Sequence, residues 1–194
     1  MRRLKMEIEK EIKVLITEYQ YNEIIKKIYL PKQVQQINFY YDDLERTMIF
    51  SGKTVRIRAD KDKMYLQLKR HLEKREDVIM SQEFCKKIGT IPYCICEEEL
   101  YKLTGEKYPD VYLLGFLFTE RSIYTVDSQI QIMLDKNVYL GCLDYELEIE
   151  YTCEDNKLDK VFSILNEFNI KILSKGKISS KSIRFVKKYY DSII

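Results

Sequence analysis

Near the start of the chain, Glu9-Lys10-Glu11-Ile12-Lys13 puts charge at alternate positions, and Glu146-Leu147-Glu148-Ile149-Glu150 repeats the spacing far downstream. In an extended strand, alternate side chains share a face. Glu7, Glu9, Glu11 and Lys13 then line one face, while Ile8, Ile12 and Val14 line the other, with Lys10 the exception. Carboxylates one strand step apart repel unless a cation lies among them. Lys or Arg can serve, and so can a hard divalent metal, which takes oxygen ligands. Two further segments carry the opposite sign at the same spacing: Val55-Arg56-Ile57-Arg58, then Leu66-Gln67-Leu68-Lys69. Forked Arg donors and a Lys point charge suit phosphate oxygens.

A half-buried sheet with one solvated face accounts for any single segment of this kind. It does not account for the grouping of signs, with Glu clusters from the two ends of the chain and Arg and Lys clusters from its middle. A closed antiparallel barrel does, because interior and exterior positions alternate along each strand. Its apolar outer faces would be covered by helices, and its interior would have an acidic wall and a basic wall. The acidic wall suits Mg²⁺ or Mn²⁺ and the basic wall an oligophosphate.

The elements that must position these residues can be read from the pattern. Alternation predicts strands over 6–15, 33–41 and 76–84, and a hairpin of Thr54–Ala59 with Met64–Arg70. Residues 111–125, bearing Arg121, read as a strand pair; Gln129–Asp135 and Tyr145–Tyr151 are further strands. Thr17 with Gln20 three residues on is a capping box for a helix over 18–29, ended by Pro31. Helices are also expected over 97–103, closed near Gly105, and over 157–168. Ser179 or Ser180 caps a terminal helix with Ile183, Val186 and Tyr190 inward. His71, the only histidine, reads as a loop residue beside Lys69 and Arg70.

The 194 residues are read as one domain, 1–194, long enough to bury a core. The net charge of +2 is a near-cancellation, which argues against a nucleic-acid footprint. No apolar run approaches the roughly 18–20 residues of a membrane span, and no signal-peptide core follows the basic start. Cys85, Cys94, Cys96, Cys142 and Cys153 are odd in number and form no Cys-x-x-Cys pair, so they read as reduced thiols of a cytoplasmic protein. Six glycines and no phosphate-cradling loop exclude Walker-type chemistry, and one histidine leaves no Ser-His-Asp or Cys-His system.

Taken in order, these segments resemble the CYTH superfamily, named for class IV adenylate cyclases and thiamine triphosphatases and also called triphosphate tunnel metalloenzymes. The resemblance extends through Thr119-Glu120-Arg121, the run Leu134–Gly141, Asp144–Glu150 and Ser180-Lys181-Ser182-Ile183-Arg184-Phe185. It is strongest to small single-domain members of Gram-positive bacteria. It implies an α+β fold, a closed eight-stranded antiparallel tunnel with helices packed outside. Carried over by position, Glu9, Glu11, Glu148 and Glu150 would hold or orient metal, with Asp135 near them. Lys13, Arg56, Arg58, Lys69, Arg121 and Lys181 would grip phosphates. A mid-chain carboxylate completes the ligand set; Glu83 matches it best, Glu76 is the alternative, and one register would put Met80 there.

The expected reaction is hydrolysis of a terminal phosphoanhydride, with inorganic tripolyphosphate, thiamine triphosphate or a nucleoside triphosphate as substrate. Arg58 would neutralise developing charge and Glu11 would help to activate water. Two rivals stand beside it: an adenylate cyclase, which needs a nucleobase pocket, and a non-catalytic polyphosphate or nucleotide sensor. The expected partner is thus a small triphosphate, without nucleic acid or membrane, for a monomer or homodimer. Arg58→Ala and Glu148→Ala are each expected to abolish turnover with the fold intact.

Overall fold

The computed structural model describes residues 5–29, 31–75, 78–151, 158–170 and 179–192. Its strands are β1 (Lys5–Ile16), β2 (Lys32–Asp42), β3 (Lys53–Asp60), β4 (Lys63–Arg75), β5 (Val78–Ile88), β6 (Cys94–Ile95), β7 (Val111–Asp127), β8 (Ile130–Tyr139) and β9 (Cys142–Tyr151). Its helices are α1 (Glu18–Lys27), α2 (Thr47–Phe50), α3 (Glu97–Thr104), α4 (Leu158–Glu167) and α5 (Lys181–Asp191). The sheet runs β2-β3-β4-β5-β1-β9-β8-β7-β6, and a further pairing of β2 with β7 closes it. Every pairing is antiparallel. The result is the expected eight-stranded barrel, with β6 as a short extra strand on the edge of β7.

Alternation decides what each wall faces. Outward Ile12, Val14, Ile132, Leu134, Leu147 and Ile149 form one core with Ile24 of α1 and Val161 and Leu165 of α4. The capping box at Thr17 and Gln20 starts α1 as expected. A second core joins Val55, Ile57, Leu66 and Leu68 to Leu100 and Leu103 of α3. That helix ends at Gly105, whose φ of +80° is the left-handed conformation that glycine supplies without a Cβ clash.

The fifth helix packs differently. Phe185, fully buried, meets Tyr40, Leu117 and Tyr139. Tyr40 is two residues from Asn38, and Tyr139 two from Asn137, so all share the inward parity of the barrel. Helix α5 therefore seats one face in an end of the barrel. Its cap is Ser180, whose hydroxyl accepts from the amide of Ile183 at 3.3 Å. The inward set is centred on Ser182, Phe185 and Val186, with Ile183 and Tyr190 partly buried beside it.

The reading of 111–125 as two strands is corrected: β7 is one strand, bent in place. The pairing with β2 slips between Tyr40 and Tyr41 opposite Gly115, whose φ is +153°. A bulge bends a strand without breaking it, so no turn is needed. Gly115 also lets α5 approach, since a Cβ there would lie 3.1 Å from Phe185 Cζ. Phe185 is held by Tyr40 and Tyr189, with ring centroids at 5.1 and 6.3 Å, and cannot easily give way. Gly115→Ala is expected to destabilise the protein by about 1–3 kcal/mol, the usual cost of overpacking, read as a lower denaturation midpoint.

Asp42 ends β2 beneath α2. Its Oδ1 accepts from the Asp43 amide at 3.0 Å, while its buried Oδ2 has no partner among the described residues. Burial raises the carboxyl from 3.8 to about 6. The folded state thus favours the protonated form, and stability falls as pH rises from 3.8 to about 6 and stays reduced above it. Asp42→Asn should stabilise the fold by on the order of 1 kcal/mol at neutral pH and by little below 3.8, the ordinary value. Thermal melts of both proteins across that range test this.

Candidate active site

Barrel topology explains the separation of charge. Strands β1 and β9 come from opposite ends of the chain yet lie side by side. Strand β3 lies across the barrel from β9, reached through β4, β5 and β1 one way and through β2, β7 and β8 the other. The interior between them holds a cavity of about 420 Å³. Glu11, Lys13, Arg56, Arg58, Lys69, Glu83, Arg121, Glu148, Glu150 and Lys181 all line it.

Register sets the acidic wall. Lys13 is opposite Glu148, a favourable cross-strand pair, but Glu11 is opposite Glu150, a like-charge pair. Oxygens of Glu11, Glu148 and Glu150 lie within 4.8 Å of one another. Lys13 Nζ is 2.9 Å from Glu11 and 3.5 Å from Glu148, and Lys69 Nζ is 3.2 Å from Glu11. Burial opposes ionisation of Glu11, but Lys13 and Lys69 outweigh it and hold the carboxyl at about 2.

A second grouping, Asp135, Glu146 and Glu148, is equally compact. Here α5 supplies the cation: Lys181 Nζ lies 2.6 Å from Asp135, 2.5 Å from Glu146 and 2.8 Å from Glu148. Arg121 donates to Asp135 through Nε and Nη2, at 2.7 and 2.6 Å, and reaches Glu148 as well. Arg184 adds a bond to Glu146 at 2.6 Å and one to Asp144 at 2.9 Å. Despite burial, these cations keep Asp135 and Glu148 below the ordinary carboxylate range, Glu148 well below it. Glu146 is fully buried, and desolvation, with Glu148 nearby, raises it.

The basic wall is less satisfied. Arg56 donates to Gln67 at 2.9 Å and has Glu83 at 3.9 Å; Gln67 donates to Glu83 in turn. Arg58 donates to Asn38 Oδ1 at 3.0 Å and has no carboxylate within ion-pair distance among the described residues. Burial, then Arg56 and Arg121, lowers its guanidinium to about 10. It stays charged at neutral pH and faces the cavity, with no ion pair among the described residues. A group of this kind can receive an anion.

The sequence profile of the CYTH domain matches residues 7–183. The chain belongs to the CYTH family. No curated protein matches it. Among solved structures it is similar to a putative adenylate cyclase from Bacillus halodurans, with TM-score 0.71, 21% identity, and 93% of this chain and 98% of that one covered. It is also similar to the Hippeastrum protein HpAC1, described as a putative adenylyl cyclase with a dominant triphosphatase activity: TM-score 0.69, 20% identity, 92% and 95% covered. The mimivirus capping-enzyme triphosphatase follows at TM-score 0.52 and 13% identity, over 84% and 89%. At these identities the likeness is one of fold.

Within this CYTH barrel the expected site residues do not all cluster. Glu11, Glu148 and Glu150 come together, whereas Asp135 lies in the second grouping, already met by Arg121 and Lys181. Glu83 points inward opposite Lys69 but lies toward Arg56, in neither carboxylate grouping. Met80 has the opposite parity, paired with Lys10. Glu9 lies in β1 opposite Ser81, but its side chain, like residue Glu76, lies outside the described residues. Cross-strand pairing of Arg56 and Arg58 with Glu148 and Glu150 does not occur, because β3 and β9 are not neighbours.

His71 is corrected from loop to strand. It lies in β4 opposite Ser81 and lines the cavity beyond Lys69. Desolvation, then Lys69 and Lys13, lowers its pKa. Sequence reasoning gave no site role to Gln67, Asn38, Glu146 and Arg184. The alternation Glu146, Glu148, Glu150 and the spacing of Lys181 to Arg184 on one helix carried the signal for the last two.

Proposed function

We propose that this CYTH protein is a divalent-metal-dependent triphosphatase that takes a small triphosphate into the barrel. One observation carries the proposal: Arg58, charged and without a carboxylate partner among the described residues, looks across a cavity at three converging carboxylates. The donor chemistry at Glu11, Glu148 and Glu150 fits Mg²⁺ or Mn²⁺, since all three offer oxygen and Glu11 and Glu150 are paired by register against their own repulsion. The metal, when bound, supplies positive charge to phosphate oxygens and to a water ligand.

The residues of the chain do the rest. Arg56, Arg58 and Lys69 hold the phosphate chain and fix its direction between the walls. As water attacks the terminal phosphorus and the bond to the bridging oxygen breaks, charge spreads over the phosphoryl oxygens, and Arg58 is placed to receive it. The products are orthophosphate and the shortened diphosphate. Arg121 and Lys181, bound to Asp135 and Glu148, hold the acidic wall in shape. Transfer of this kind asks mainly for position and charge, and this site supplies both.

The dominant triphosphatase activity of the Hippeastrum protein is consistent with this reading. The test is product analysis with tripolyphosphate, thiamine triphosphate and ATP, each with Mg²⁺, Mn²⁺ or chelator. Metal-dependent orthophosphate release is expected. Cyclic AMP with pyrophosphate from ATP would instead make the protein a cyclase, and binding without turnover would make it a sensor.

A further inference from the structure

Inward side chains of β3 and β4 fall into rows. Lys69 lies opposite Thr54, Arg56 opposite Gln67 and Arg58 opposite Tyr65, so these cations occupy three successive rows. Each row is about 7 Å from the next along the strands. The lane has a direction. The Thr54 hydroxyl lies 3.0 Å from that of Ser182 on α5, the helix whose Phe185 fills that end of the barrel against Tyr40, Leu117 and Tyr139. Six residues on, about 20 Å along the strand, β3 ends at Asp60, one inward row past Arg58.

The polar groups at this second end lack partners. Asp60 Oδ1 is buried and has no hydrogen-bond partner among the described residues. Ile37 is opposite Ala59, so Gln36 shares the row of Asp60. Gln36 is 9% exposed, and its amide makes no hydrogen bond among the described residues. Tyr65 lines the cavity beside Arg58, and its hydroxyl makes none there either. Buried polar groups are nearly always hydrogen-bonded, and one left open calls for a water, an ion or a ligand. A carboxylate, an amide and a phenol left open at one end of the interior point to a shared partner.

We propose that Gln36, Asp60 and Tyr65 form the subsite for the ribose of a nucleoside triphosphate. This rests on the triphosphatase reading, in which Lys69, Arg56 and Arg58 hold the phosphates. With the phosphates along those three rows, the next group of the substrate falls in the row of Asp60. A fourth phosphate there would meet a carboxylate, so the lane ends. A ribose fits, because its hydroxyls donate to Asp60, as they do to acidic side chains in dinucleotide sites, and accept from the Gln36 amide and the Tyr65 hydroxyl. The cationic ring of thiamine triphosphate would satisfy Asp60 by charge but offer no hydrogen bond to the other two.

Paired substrates test this. For wild type, kcat/KM for orthophosphate release from ATP should exceed that from 2′,3′-dideoxy-ATP at least about tenfold, the weight of hydrogen bonds to a charged group. Asp60→Ala should bring the two nucleotides close to equality and lower the ratio of ATP to tripolyphosphate turnover. Tyr65→Phe, which removes only a hydroxyl, should narrow the gap. Equal turnover of ATP and 2′,3′-dideoxy-ATP by wild type overturns the proposal, and so does a preference that survives Asp60→Ala. Calorimetry with the β,γ-methylene analogues of both nucleotides reads the same preference without loss of the terminal phosphate. A ribose preference there, with no phosphate release from any triphosphate, would end the triphosphatase reading and keep the subsite. Phosphate release without that preference would do the reverse.

Discussion

Arg58→Ala should lower kcat/KM for the triphosphate by about a hundred- to a thousandfold without lowering the melting temperature. The two halves of that expectation have one cause. The guanidinium is half-buried beside Arg56 and Arg121, and desolvation with their like charges lowers its pKa to about 10, so the fold by itself disfavours its charge. Alanine removes a repulsive cation, and with it only one described hydrogen bond, to Asn38. The fold loses little, while the proposed phosphate site loses its least committed donor. Arg58→Lys, which keeps charge but not the fork, should fall between alanine and wild type. Tripolyphosphate should raise the melting temperature of wild type by mass action, and raise that of Arg58→Ala much less. Full activity in Arg58→Ala would remove the basis for the phosphate assignment.

How much of this is legible in advance follows from what alternation can encode. The parity of a residue is local, so Glu11, Lys13, Arg56, Arg58, Lys69 and Glu148 can be assigned inward from their neighbours alone. Which strands meet is not local. That Glu11 faces Glu150 while Lys13 faces Glu148 depends on the stagger of β1 against β9, and a slip of two residues would keep every parity and change every pair. The same limit leaves Glu83 unresolved among the carboxylates, since its distance from Glu11 is set by the stagger of β1 against β5. Nothing in 111–125 marks that Gly115 seats a bulge and not a turn, since both call for a residue tolerant of unusual φ. Helix α5 shows its amphipathic period, but nothing in that period says that the partner of Phe185 is an inward row of the barrel. The pairing of Arg184 with Glu146 is hidden for the same reason: they meet only because α5 enters that end. His71 reads as a loop residue because β4 continues past its register slip, which the sequence does not mark.

Glu148→Ala separates the structure from the simpler expectation that its removal would leave the fold intact. Glu148 is 5% exposed and touches Lys13, Arg121 and Lys181. It belongs to both carboxylate groupings. Removing one partner of a buried ion pair costs roughly 3–5 kcal/mol, because the remaining charges are left uncompensated. For a chain of this length that corresponds to a fall of roughly 6–20 °C in melting temperature. Glu150→Ala makes the contrast. Glu150 is only partly buried, so its loss leaves less stranded charge in the interior than the loss of Glu148. Both variants should bind Mn²⁺ more weakly in calorimetry, since each removes one oxygen of the converging three. Only Glu148→Ala should also unfold early. If Glu150→Ala bound Mn²⁺ as wild type does, Glu11, Glu148 and Glu150 would not be the metal site, and the like charges would need another counter-ion. If Glu148→Ala melted with wild type, the network through Arg121 and Lys181 would be a rearrangeable surface rather than the fixed wall on which the phosphate-binding side chains depend.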